Sequence, residues 1–132
     1  MQNGKSAPDA ASLQDAASFN VAVVRGACSS PPEIRVLPSD QRLAQLQITT
    51  RIGGRAMSVP VSVLEPATWV EGLDAGDEVV VLGSVRRRFF RAGGSTASRV
   101  EIEAEVVCRA RDRRRSRGLR RRIEELLEAL ES

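Results

Sequence analysis

From Gly76 to Phe90 the chain alternates between two kinds of side chain, and this period of two restricts it to a fold built on extended strands. Val79, Val81, Gly83 and Val85 fall on one side; Val80, Leu82, Ser84, Arg86, Arg88 and Phe90 fall on the other. Successive side chains of a strand point to opposite faces, so the first face is apolar from Val79 to Val85 and the second turns polar at Ser84. Gly93-Gly94-Ser95 forms a loop, after which Val100, Ile102, Ala104 and Val106 alternate with Arg99, Glu101, Glu103 and Glu105. The three glutamates are expected to point outward.

Shorter strands precede this pair. Asn20 to Gly26 is a compact apolar run, broken by Pro31-Pro32 and resumed in extended form over Ile34 to Leu37. Pro38-Ser39-Asp40 is turn chemistry. Leu43, Leu46 and Ile48 mark a further strand, and Gly53-Gly54 suits a tight hairpin into Met57–Val63, where Pro60 indicates an edge or a bulge. Glu65 to Leu73 is the helical segment of this region, with Pro66 at its start, Gly76 beyond it, and Trp69, Val70 and Leu73 on its inner face. Five strands with a short helix between the third and fourth is the order of an OB-fold barrel, so the predicted class is all-β with a C-terminal amphipathic helix.

The C-terminal part is set apart by charge. Residues 1–108 carry a net −1, residues 109–122 carry nine Arg and Asp112 for +8, and residues 123–132 carry four Glu for −4. Arginine dominates the cations, Lys5 being the single lysine, and its planar fork grips phosphate bidentately and stacks on bases. After Gly118, the spacing of Leu119, Ile123, Leu126 and Leu130 makes an a/d seam on a helix of three to four turns. A helix that short needs the barrel, a second copy or another protein to cover its stripe. The predicted organisation is a flexible leader over 1–18, a barrel over 19–108, an Arg-rich linker over 109–118 and an amphipathic helix over 119–131.

Composition removes several function classes. Without His, catalysis would need a Ser-Lys, Cys or paired-carboxylate arrangement; no base flanks Cys28 or Cys108, the barrel acids fall in turns or on the outer face of the last strand, and no phosphate-binding glycine loop appears. The expectation is a non-enzyme without cofactor or metal. Two isolated cysteines cannot supply a four-ligand zinc site and are read as buried free thiols. The chain has neither a membrane span nor a secretory signal pattern, and a cytoplasmic location is expected.

Binding of a single nucleic-acid strand requires cations that track phosphates and flat rings on which bases stack. Alternation places Arg86, Arg88 and Phe90 on one face with Arg91 beside them. Arg51 and Arg55 flank the Gly53-Gly54 hairpin, and Arg35 and Arg99 would line the same groove. Phe89, on the opposite face, is read as structural, and Trp69 as packing between helix and barrel. The block Arg109, Arg111, Arg113, Arg114, Arg115 and Arg117 would add sequence-independent affinity. Six to nine phosphate contacts from the nine arginines of residues 109–122 would give a salt slope of about −4 to −6 on single strands.

Asn20, Gly26, the turn Pro31-Pro32-Glu33-Ile34-Arg35, the segment Ala75 to Val85 and the following Arg86, Arg88 and Phe90 resemble, in order, the bacterial single-stranded DNA-binding protein family. The resemblance spans about Asn20 to Val107. It implies an OB-fold, single-stranded DNA as partner, a role in replication and repair, and a homodimer or homotetramer, to which Leu119, Ile123, Leu126 and Leu130 would contribute. The chain departs from the pattern in two places. Thr49 to Val63 lacks the aromatics the family stacks bases on, and the ending Ala129-Leu130-Glu131-Ser132 is not the family's acidic Pro-Phe tip. Binding weaker and more salt-sensitive than in a typical member is therefore expected. A protein–protein adaptor, favoured by the outward acids and the C-terminal stripe, and an RNA-binding OB protein are the alternatives; only a 2′-hydroxyl contact separates RNA from DNA.

Overall fold

The two long alternating runs pair with each other along their whole length. In the computed structural model, which describes residues 14–15 and 18–131, the elements are β1 (Gln14–Asp15), β2 (Ser18–Phe19), β3 (Ala22–Cys28), β4 (Glu33–Val36), β5 (Arg42–Ile52), β6 (Arg55–Leu64), α1 (Thr68–Glu71), β7 (Glu78–Ala92), β8 (Ser95–Arg109) and α2 (Arg113–Leu130). The β5–β6 and β7–β8 hairpins each turn on a glycine pair whose φ angles, 58° and 80° at Gly53-Gly54 and 58° and 84° at Gly93-Gly94, are those of the two-residue turn that matches strand twist. Most of the expected leader lies outside the described residues; within it, β1 pairs with β2.

The main sheet runs β3-β7-β8-β6-β5-β4, and β3 also pairs with β5, so five of its strands close into a barrel with β4 on the edge of β5. Closure rests on two narrow seams: Ala27↔Thr49 with Cys28↔Ile48, and the parallel Val61↔Ile102 with Ser62↔Glu103. Both seams depend on a missing side chain. A Cβ on Gly26 would lie 2.3 Å from the Thr49 carbonyl oxygen, and one on Gly83 would lie 2.1 Å from that of Glu103. The barrel interior holds Ala44, Leu46, Ile48, Val61, Val79, Val81 and Ile102, with Val70 and Leu73 from the α1 segment plugging its end.

Alternation holds through β7 but not through β8. Leu82 pairs with Val106 and Gly83 with Ala104, which leaves Glu105 as an extra residue, a β-bulge. Beyond the bulge Val107 points into the barrel, while Val106 and Cys108 point outward beside Val80 and Leu82. Helix α2 covers this outer apolar patch: Leu119 and Leu126 are buried on it, Ile123 is half-buried, and Phe19 and Val21 complete the layer. Arg122 reaches the bulged Glu105 in a two-pronged ion pair, with Nε and Nη2 at 2.9 and 3.3 Å from its carboxylate oxygens. Each buried leucine contributes about 2 kcal/mol by area.

Three expectations change here. The Arg-rich segment is not a linker, because the helix begins at Arg113, capped by the Asp112 carboxylate accepting from the Arg115 backbone N–H at 3.0 Å. The seam of Leu119, Ile123 and Leu126 meets the chain's own barrel, leaving only Leu130 and the neighbouring Leu127 exposed. The segment 65–73 forms one helical turn, Thr68–Glu71, since Glu65 adopts a left-handed φ of 51° and the residues after Glu71 turn toward β7.

Cys28 and Cys108 are free thiols buried in different layers. Burial, reinforced by the nearby Asp77 carboxylate, pushes the Cys28 thiol above its ordinary pKa. Neither thiol is expected to react with iodoacetamide at neutral pH until the fold opens, which mass spectrometry of alkylated peptides would check.

Candidate nucleic-acid interface

Register decides which of the candidate side chains share a face. Directly paired residues project on the same side of a sheet. Arg86↔Glu101, Arg88↔Arg99 and Phe90↔Ala97 therefore lie on the outer side of the β7–β8 hairpin. Gln45↔Ser62, Gln47↔Pro60, Thr49↔Ser58 and Arg51↔Ala56 continue that side on β5 and β6, and Glu33↔Gln45 and Arg35↔Leu43 extend it to β4. A recess of about 90 Å³ between Ser30, Pro31, Glu33, Gln45, Gln47 and Arg99 joins the two halves. Arg35, Arg51, Arg86, Arg88, Phe90 and Arg99 thus stand on one continuous surface.

Two expected members do not join it. Arg91 pairs with Thr96 and Arg55 with Ile52, so both project on the opposite sides of their hairpins. The cause is parity: a side chain one position along the strand, or one position past a two-residue turn, changes face.

The outer surface is largely self-neutralised. Glu101, expected to point into solvent, is only 2% exposed, because Arg88 and Arg99 fold over it. Arg88 Nε lies 2.9 Å from Glu101 Oε2 and Arg99 Nη2 lies 3.7 Å from Oε1; Arg86 pairs with Glu103 in the same way. Outward on a strand is therefore not the same as exposed when arginines stand two residues away. Among the described residues, Arg99 Nε is buried without an acceptor, while Arg35 and Arg51 make no salt bridge.

Removing the buried carboxylate separates stability from binding. Glu101→Gln is expected to cost the fold about 1–2 kcal/mol, since both arginines can still reach water. If this surface holds a nucleic-acid strand, the same change should tighten binding of oligo-dT several-fold by freeing Arg88 and Arg99. Urea melts and fluorescence anisotropy on the same preparation would check both signs.

Around the barrel, other cations serve the fold. Arg109 sits with its guanidinium 5.3 Å from the Trp69 ring centroid and its Nη1 3.5 Å from Asp77. Asp77 itself accepts from the Asp74 backbone N–H, which with Arg109 holds its carboxyl below the usual range. Glu71 is likewise lowered by its paired hydrogen bonds from Arg42. On α2, Arg115 pairs with Asp112, Arg120 with Glu124, and Arg122 with Glu105 and Glu125. Among the described residues Arg111, Arg113, Arg114, Arg117 and Arg121 make no salt bridge, and the last four project from the solvent side of α2.

Among the described residues no three His, Cys, Asp or Glu side chains converge as metal ligands, and no helix is long and apolar enough to cross a membrane. Comparison of the chain with models of known protein families matches none, and comparison with curated protein sequences finds no similar one.

Proposed function

We propose that this chain is a non-catalytic single-stranded DNA-binding protein whose barrel is an OB-fold, with β3, β5, β6, β7 and β8 as its five strands and α1 as the helix between the third and fourth. The observation that supports this reading is the joining, on one outer surface, of Phe90, five arginines, the β5 glutamines and an orphaned guanidinium N–H at a small recess. A stacked base beside cations that hold its phosphates is what single-strand binding requires. Five arginines against Glu33, Glu101 and Glu103 leave the surface positive, but modestly so. Moderate affinity with a contribution from the unpaired arginines of α2 follows.

The resemblance described above supports the same partner and a homodimer or homotetramer. In any such assembly Leu119 and Leu126 are already occupied, so the contact would lie elsewhere. The adaptor alternative loses its support from Glu101, Glu103 and Glu105, each of which is engaged by an arginine of the same chain. RNA remains an outcome of the test.

The test is an anisotropy titration of labelled oligo-dT and oligo-U at two salt concentrations, with unlabelled duplex as competitor. The full-length chain is compared with a variant in which Arg113, Arg114, Arg117 and Arg121 are replaced by serine; removing α2 outright would uncover Leu82 and Cys108. The variant should keep its preference for single strands and show a salt slope shallower by about 3. Loss of strand preference in both proteins would remove the barrel as the reader.

A further inference from the structure

The side of the β7–β8 hairpin opposite Phe90 differs from the outer one in lacking carboxylates and in how openly it presents its ring. It carries Val85, Arg87, Phe89 and Arg91 on β7 against Ile102, Val100, Ser98 and Thr96 on β8, with no acidic residue. Phe89 is 67% exposed, compared with 41% for Phe90, so it is the more open of the two rings. Among the described residues Arg87 bonds only to the Ser98 hydroxyl, at 3.0 Å, and Arg91 only to the Gly94 carbonyl, at 3.5 Å. Neither guanidinium is neutralised there, whereas Arg86, Arg88 and Arg99 on the outer side all face glutamates. Val85 and Val100 on the same face are also left exposed.

The second hairpin brings similar chemistry to the same end of the barrel. Strands β6 and β8 run parallel at Val61↔Ile102, and each begins at its own hairpin tip, so both tips project from one end. The inner-facing side of β5–β6 carries Ile52, Arg55 and Met57, all exposed, again without a carboxylate. Asn20 marks where the projection starts: its side-chain amide donates to the Val85 carbonyl at 2.7 Å and accepts from the Val85 N–H at 2.9 Å, closing the β3–β7 ladder. Past that clamp, the inner barrel faces continue into open solvent as apolar, cationic surfaces.

We propose that a single nucleic-acid strand binds across these inner-facing sides at the barrel mouth, with a base stacked on Phe89 and phosphates held by Arg55, Arg87 and Arg91. Residues two apart on a strand are about 6.8 Å apart, which sets Arg87 and Arg91 symmetrically on either side of the Phe89 ring. This inference rests on the single-strand reading above and adds a second surface to it, on the other side of the hairpin from Phe90.

The experiment compares the full chain with Phe89→Ala, Phe90→Ala and a triple variant in which Arg55, Arg87 and Arg91 become serine. Labelled oligo-dT is the probe, and thermal melts establish that each variant is folded. Phe89→Ala should weaken binding about tenfold or more, and the triple variant should flatten the salt slope by about 2. A Phe89→Trp variant adds a readout that folding alone does not move: its emission should be quenched by oligo-dT beyond any change from Trp69 in the parent chain. If the parent binds oligo-dT and Phe90→Ala weakens it while the Phe89 and triple variants bind normally, the inference is overturned and the single-strand reading stands. If the parent shows no preference for oligo-dT over duplex, both are overturned.

Discussion

Gly83→Ala is expected to destabilise the protein by about 3 kcal/mol or more, lowering its melting temperature by at least about 10 °C. The added methyl would meet the Glu103 carbonyl oxygen at 2.1 Å, its carbon at 2.9 Å and the Ala104 Cα at 3.0 Å. All three are main-chain atoms, so no side chain can rotate away. The strands themselves must part, at a point one residue from the pair that seals β6 to β8. The same substitution at Gly118 should act in the opposite direction. That residue lies inside α2 with nothing within 4 Å of where the methyl would sit, and alanine there should stabilise by about 1 kcal/mol. Calorimetry of the two variants beside the parent tests the argument directly; an unchanged melting temperature for Gly83→Ala would mean the strands have room that the close approach denies them.

Leu126→Ala should cost about 3 kcal/mol, within the range for truncating a buried leucine. Its side chain is 2% exposed and packs with Leu82, Cys108 and Leu119, in a layer separate from the barrel interior. The location gives the loss a signature. If α2 lifts away while the barrel stays closed, iodoacetamide should label Cys108 and spare Cys28. Equal labelling of both thiols would show that the two layers unfold as one unit, and labelling of neither, with an unchanged urea midpoint, would contradict the helix docking.

Much of this architecture was legible in the residues because it depends on local chemistry. The glycine pairs specify their own turns, and β7 keeps its parity from Val79 to Phe90. What was not legible depends on partners distant in sequence. The bulge at Glu105 exists because β8 must serve two layers, sending Val107 inward and Val106 under α2. Glu101 alternates as an outward residue should, yet Arg88 and Arg99 bury it. The start of α2 hid in a charged run that reads as solvated chain; Asp112, three residues before Arg115, was the available signal for a cap. Parity assigns Phe89 and Phe90 to opposite faces but does not reveal which arginines around them are already neutralised.

The two seams also govern how the barrel breathes. Each is two residue pairs long, while the hairpins they join pair over ten or more positions. Opening a seam breaks few backbone bonds, whereas melting a hairpin breaks many, so the cheapest excursion parts the barrel wall and leaves both hairpins intact. Amide exchange at Thr49, Val61 and Ser62 would then run ahead of exchange in the middle of β7. An opening of that kind would change the distance between the two hairpin tips while each hairpin keeps its own pairing.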